Sequence, residues 1–122
     1  MSRLKNLFKR DRNKLIVFIT AGFPKKESTE DLVLQAIEGG ADMIEIGIPF
    51  SDPQADGPII QKASEIALSN GITLSIIFDQ VRSIRKKTDI PIALMGYYNP
   101  ILAYGIDNFL NDCKTSQIDG II

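Results

Sequence analysis

The sequence predicts an α/β fold built on a parallel sheet, and three observations carry that prediction. Short apolar runs appear at residues 15–19, 43–48 and 91–95. Between them lie segments whose apolar residues recur at helical spacing. The two kinds of segment alternate along the chain, the pattern of strands joined by right-handed helical crossovers.

The elements follow in order. The basic start, Met1 to Lys14, reads as a solvated helix that tucks Leu4, Leu7 and Phe8 against the body, with a membrane-surface helix as the alternative. Leu15-Ile16-Val17-Phe18-Ile19 is continuous and apolar, which predicts a strand buried on both faces. Gly22 and Pro24 break it. Ser28 with Asp31 resembles a capping box, and Leu32, Val33, Ala36 and Ile37 then trace a helix that Gly39-Gly40 stops. Met43 to Ile48 is the second strand, followed by a turn-rich stretch from Pro49 to Pro58. Ile60, Ala63 and Ala67 mark a short helix ending at Asn70-Gly71. Thr73 caps the next, whose stripe is Leu74, Ile77, Phe78, Val81 and Ile84. Pro91 to Met95 is the third strand, Gly96 to Tyr104 a loop, and Asp107 to Ser116 a helix carrying Phe109, Leu110 and Cys113. Asp119-Gly120-Ile121-Ile122 opens a fourth strand. A strand of this kind without a covering helix after it predicts a longer protein; a complete small flavodoxin-like domain is the alternative.

Composition narrows the chemistry. The 122 residues include 44% apolar ones, enough to bury a core. Acids and bases balance at 15 against 14, so no basic field gathers nucleic acid. The chain has no histidine, which removes His-ligated metals, Ser-His-Asp triads and His acid–base pairs. The lone Cys113 permits no internal disulfide and reads as a small buried hydrophobe, which fits a reducing, cytoplasmic setting. No signal peptide is legible, and the run at 15–19 is far shorter than the roughly 20 residues that span a bilayer.

The acids around the second strand are the candidates for chemistry. Side chains alternate along Met43-Ile44-Glu45-Ile46-Gly47-Ile48. If Ile44, Ile46 and Ile48 pack on helices, Glu45 points the other way, into the interior. A carboxylate there is costly unless paired, hydrogen-bonded or protonated, and a general acid–base Glu needs such surroundings. The loop Pro49-Phe50-Ser51-Asp52-Pro53-Gln54-Ala55-Asp56-Gly57-Pro58 leaves the end of that strand. It could be an ordinary surface turn or a shaped catalytic loop. Spacing also leaves open a Mg²⁺ site made by Glu45, Asp52 and Asp56.

Glu45-Ile46-Gly47-Ile48-Pro49-Phe50-Ser51-Asp52-Pro53, followed by Ala55-Asp56-Gly57-Pro58, resembles the signature of tryptophan synthase α subunits. Asn6-Leu7-Phe8, Phe18-Ile19-Thr20-Ala21-Gly22-Phe23-Pro24 and Met95-Gly96-Tyr97-Tyr98-Asn99-Pro100 fall in the order and spacing of that family. The resemblance implies a (β/α)₈ TIM barrel, with residues 1–122 as the N-terminal half of a single barrel domain: about four β/α strands and an N-terminal helix. It implies aldol cleavage of indole-3-glycerol phosphate to indole and glyceraldehyde 3-phosphate, in tryptophan biosynthesis. Glu45 matches the family's catalytic glutamate and Asp56 its catalytic aspartate. Phe18, Ile60, Met95 and Tyr97 match positions lining the indole pocket; each reads equally as plain core, and on the residues alone core is the better reading for Phe18 and Met95.

By the same resemblance, Ser51 to Pro58 and Tyr98 to Tyr104 face a β subunit in an α₂β₂ assembly. The chain needs no cofactor of its own, pyridoxal phosphate belonging to the β subunit. The family's later strands, mobile lid and phosphate loops have no counterpart here, and nothing in residues 1–122 forms a Gly-rich phosphate cradle. Two other readings stay open: a non-catalytic half-barrel that only binds a partner, and a different phosphate-ligand barrel with an acidic metal site.

Overall fold

The computed structural model describes residues 2–122; Met1 lies outside the described residues. The order is α1 (Arg3–Phe8), β1 (Ile16–Thr20), α2 (Ser28–Glu38), β2 (Met43–Gly47), α3 (Pro58–Ser69), α4 (Leu74–Arg85), β3 (Ile92–Met95), α5 (Tyr98–Tyr104), α6 (Ile106–Thr115) and β4 (Gly120–Ile121). The four strands form one sheet in the order β1-β2-β3-β4, every pair parallel.

Register and pleat divide the sheet into two faces. Ile19, Ile46 and Leu94 are level with one another, as are Val17, Ile44 and Ile92 in the neighbouring row. These residues pack under the helices with Val33, Phe78, Val81, Ile84 and Phe109. The opposite, inner face carries Phe18, Glu45, Ala93 and Gly120 in one row and Thr20, Gly47 and Met95 in the next. The helix-facing isoleucines of β2 are fully buried, so the alternation read from the sequence turns Glu45 inward.

Helix α4 is built as its sequence predicts. Thr73 Oγ1 accepts the Ile76 N–H at 3.3 Å, and Leu74, Ile77, Phe78, Val81 and Ile84 are all buried. Burying each large side chain of that stripe contributes about 1.5–3 kcal/mol relative to exposure. Phe78 also meets Phe109 edge-on, with ring centroids 5.7 Å apart. Cys113 is buried as expected, and burial pushes its thiol up to about 11.

Several expectations need correction. Residues 96–104 do not form only a loop: Tyr98–Tyr104 is α5. Pro100 falls in its first turn, where proline breaks no intrahelical bond. Gly105, at φ 95°, ends α5 and begins α6 at once. Ser28 does not cap α2. It is already helical, and its hydroxyl accepts the Lys25 N–H of the preceding turn at 3.3 Å. The run read as a strand from Leu15 is not covered along its whole length: β1 lies at the sheet edge, and Leu15 before it and Ile16, its first residue, are exposed. Phe8 is exposed too; within α1, Leu4 and Leu7 are half-buried, Leu4 against Gly120.

Charges at the N-terminal ends of the strands are paired. Asp42 accepts the Leu15 N–H at 2.9 Å and forms an ion pair with Arg12. The Arg12 guanidinium, then the Leu15 N–H, hold its carboxyl at about 2. Asp119 accepts the Ile92 N–H at 2.9 Å and the Arg85 guanidinium at 2.6 Å, while Arg3 reaches its other oxygen at 3.3 Å. Arg85 and Asp119 are both buried, with 5% and 7% of their side chains exposed. Arg3 thereby pins α1 under the sheet, over a hollow of about 700 Å³ lined by these charged groups. Among the described residues, no helix is long and apolar enough to cross a membrane.

Candidate active site

The other end of the sheet is arranged differently. Glu45 sits on the inner face of β2, between Phe18 on β1 and Ala93 on β3. It is half-buried, and its carboxylate bonds to no described residue. Two residues on, Gly47 has no side chain, and the Phe18 ring lies across it. A Cβ on Gly47 would come within 2.5 Å of Phe18 Cζ. The glycine thus lets an aromatic ring serve as the floor of the space above.

The loop after β2 is held over that floor. Ala55 N–H donates to the Tyr97 hydroxyl at 2.8 Å, joining the loop to the end of β3. Phe50 packs on the Tyr97 ring with centroids 5.4 Å apart. Gln61 Nε2 donates to the Asp56 carbonyl at 2.7 Å, fixing the turn that starts α3. Gly57 is the N-cap of that helix and Pro58 its first residue, a favoured N-terminal placement.

Sheet, loop and helix enclose a cavity of about 190 Å³ at the C-terminal ends of the strands. Its wall includes Asp56 together with Phe18, Ile60, Met95 and Tyr97. Five of the six site residues read from the sequence therefore come together, although they span three elements and two loops. Glu45 is not part of the wall. It stands one inner-face row below Gly47, next to the Phe18 that floors the cavity. The acidic trio does not converge: among the described residues, no three His, Cys, Asp or Glu side chains gather closely enough to hold a metal ion.

A model of the tryptophan synthase alpha chain family matches residues 4–122. The chain belongs to the tryptophan synthase alpha chain family. The alpha chain of Christiangramia forsetii is 48% identical over 122 residues, covering 100% of this chain and 48% of the relative. That of Petrotoga mobilis is 50% identical over the same length, covering 47% of the relative. Among solved structures, tryptophan synthase subunit alpha from Legionella pneumophila superposes with a TM-score of 0.93 at 42% identity, over 99% of this chain and 48% of that one. A chain of the tryptophan synthase complex from Pyrococcus furiosus gives 0.82 at 48% identity, over 88% and 44%. The chain spans about half the length of the curated relatives it matches, and its four parallel strands correspond to half of the family's TIM barrel.

Two polar members of the cavity wall escaped the sequence reading: Thr20 and Ser64. Signals for both existed. Thr20 shares strand parity with Phe18, and Ser64 follows Ile60 by four residues, one helical turn. The loop after β2 and helix α5 lie side by side. Phe50 and Ser51 share a groove of about 400 Å³ with Asn99, Pro100 and Ala103, and Tyr98 and Leu102 are exposed nearby.

Proposed function

We propose that this chain is the N-terminal half of a single barrel domain that cleaves indole-3-glycerol phosphate to indole and glyceraldehyde 3-phosphate. The observation that carries the reading is the cavity itself. An apolar slot with one carboxylate in its wall suits an indole ring, whose faces are apolar and whose edge carries one N–H donor. Asp56 accepts that N–H and stabilises the positive charge that develops on the ring as the carbon–carbon bond breaks. Glu45, on the inner face beside Phe18, moves protons at the glycerol hydroxyl and the ring carbon. Phe18, Ile60, Met95 and Tyr97 hold the ring and exclude water.

The groove between the loop after β2 and α5 is the surface proposed to meet a tryptophan synthase β subunit in an α₂β₂ assembly, in the cytoplasm. Leu68, exposed in the groove, and Tyr98 and Leu102, exposed on the adjoining α5, support that role, as does the similarity to a chain of the Pyrococcus furiosus complex. The pyridoxal phosphate of such an assembly would belong to the β subunit.

The test uses a protein of the family's full length that carries these residues. It should release indole from indole-3-glycerol phosphate. Glu45→Gln and Asp56→Asn should each slow release by about 100-fold or more, the usual scale for a lost acid–base or charge-stabilising group. Activity of Glu45→Gln near that of the wild type refutes the assignment of Glu45.

A further inference from the structure

Two hydroxyls stand in the cavity wall without a role in that mechanism. Thr20 ends β1 on the inner face, level with Gly47 and so beside the cavity floor. Ser64 lies one turn beyond Ile60 on α3, and both reach the cavity. Both are more than nine-tenths buried, Thr20 at 8% exposure and Ser64 at 5%. A hydroxyl at that depth ordinarily bonds to a carbonyl or a neighbouring side chain. Neither of these does so with any described residue; Ser64 does not even take the Ile60 carbonyl one turn back, the usual acceptor for a helical serine. Among the described residues, Gln80 Oε1 is the side-chain polar atom that is both sealed and unpartnered. The Thr20 and Ser64 hydroxyls, partnerless but not sealed, therefore open onto the cavity.

An unpaired buried hydroxyl is destabilising unless a ligand or water bonds to it. The rest of the wall narrows which ligand group this is. Phe18, Ile60 and Met95 offer only apolar contact. The Asp56 carboxylate accepts a ring N–H. Among the described residues no Lys or Arg lines the cavity, so none of them matches a phosphate. What remains on the proposed substrate is the pair of hydroxyls on its three-carbon chain, each a donor and an acceptor, as Thr20 and Ser64 are.

We propose that Thr20 and Ser64 are specificity residues that hydrogen-bond the chain hydroxyls of the substrate and so select a hydroxylated side chain over its deoxy counterpart. The inference rests on the lyase reading above, and its test separates the two. In the full-length protein, on a Glu45→Gln background that leaves bound substrate intact, calorimetry measures affinity for two probes. One is indole-3-glycerol phosphate, and the other is the analogue lacking both chain hydroxyls. Thr20→Val and Ser64→Ala should each weaken substrate binding about 10-fold, the scale of one lost hydrogen bond, while analogue affinity stays within about twofold. Thr20→Ser, which keeps a hydroxyl, should restore the ratio. Equal weakening of both probes, an unchanged ratio, or no substrate binding before either change overturns the proposal. The lyase reading fails by a different sign: no indole released by the wild type, or release by Glu45→Gln at the wild-type rate, with the affinity ratio still deciding the role of the hydroxyls.

Discussion

The two ends of the sheet use polar groups in opposite ways. At the N-terminal end, Asp42 and Asp119 each accept a backbone N–H and an arginine, and Arg3 and Arg85 bracket Asp119 from two helices. At the C-terminal end, the Glu45 carboxylate and the Thr20 and Ser64 hydroxyls have no partner among the described residues. One rim satisfies its charges internally and so holds the fold together. The other leaves these three groups uncommitted in or just below an apolar slot and so can receive a ligand. In a barrel of β/α units this is the expected division between a stabilising and a reactive face.

Substitutions at the two rims should therefore fail in different ways. The largest effect is expected at the paired end. Asp119→Ala leaves the buried Arg85 without its carboxylate, and breaking such a pair costs about 3–5 kcal/mol of unfolding free energy. Urea unfolding measures it, and a loss below about 1 kcal/mol would remove the contrast between the rims. A smaller effect is expected at the open end, from packing rather than charge. Gly47→Ala drives a Cβ into the Phe18 ring and should cost about 1–3 kcal/mol, with Phe18→Leu in the same chain recovering part of the loss. Additive losses in the double variant would show that ring and glycine are not in contact.

The smallest effect is in pH dependence. Asp42 is held at about 2, below its ordinary 3.8. A carboxyl whose folded value is depressed adds stability above its unfolded value and loses it as pH falls through the folded one. The stability gap between wild type and Asp42→Asn should thus be full near neutrality, shrink below about pH 4 and close near pH 2. Unfolding curves at several pH values read it, and a gap independent of pH would mean that Asp42 acts through shape alone.

What was legible in the sequence was whatever repeats with a local period. The stripe from Leu74 to Ile84 gave α4 and its buried face, and the alternation of Met43 to Ile48 gave the inward turn of Glu45. The family resemblance supplied the pocket residues, which periodicity could not separate from core. Features depending on distant partners stayed hidden. Arg3 and Asp119 lie 116 positions apart, and no spacing rule joins them. Helix α5 was missed because Tyr98-Asn99-Pro100 has the composition of a turn, and only the site of the proline within the first helical turn makes it compatible with a helix. Thr20 and Ser64 were missed because a hydroxyl acquires meaning from the absence of an acceptor, which needs the whole neighbourhood to be known.

The bond between Ala55 N–H and the Tyr97 hydroxyl has a thermodynamic corollary. Tyr97 walls the cavity with its ring and tethers the loop with its oxygen, so lifting the loop dismantles part of the cavity. Filling the one and ordering the other are then a single linked equilibrium. A molecule that favours the tethered position of the loop from outside tightens the hold on whatever lies within, and the reverse follows by the same factor.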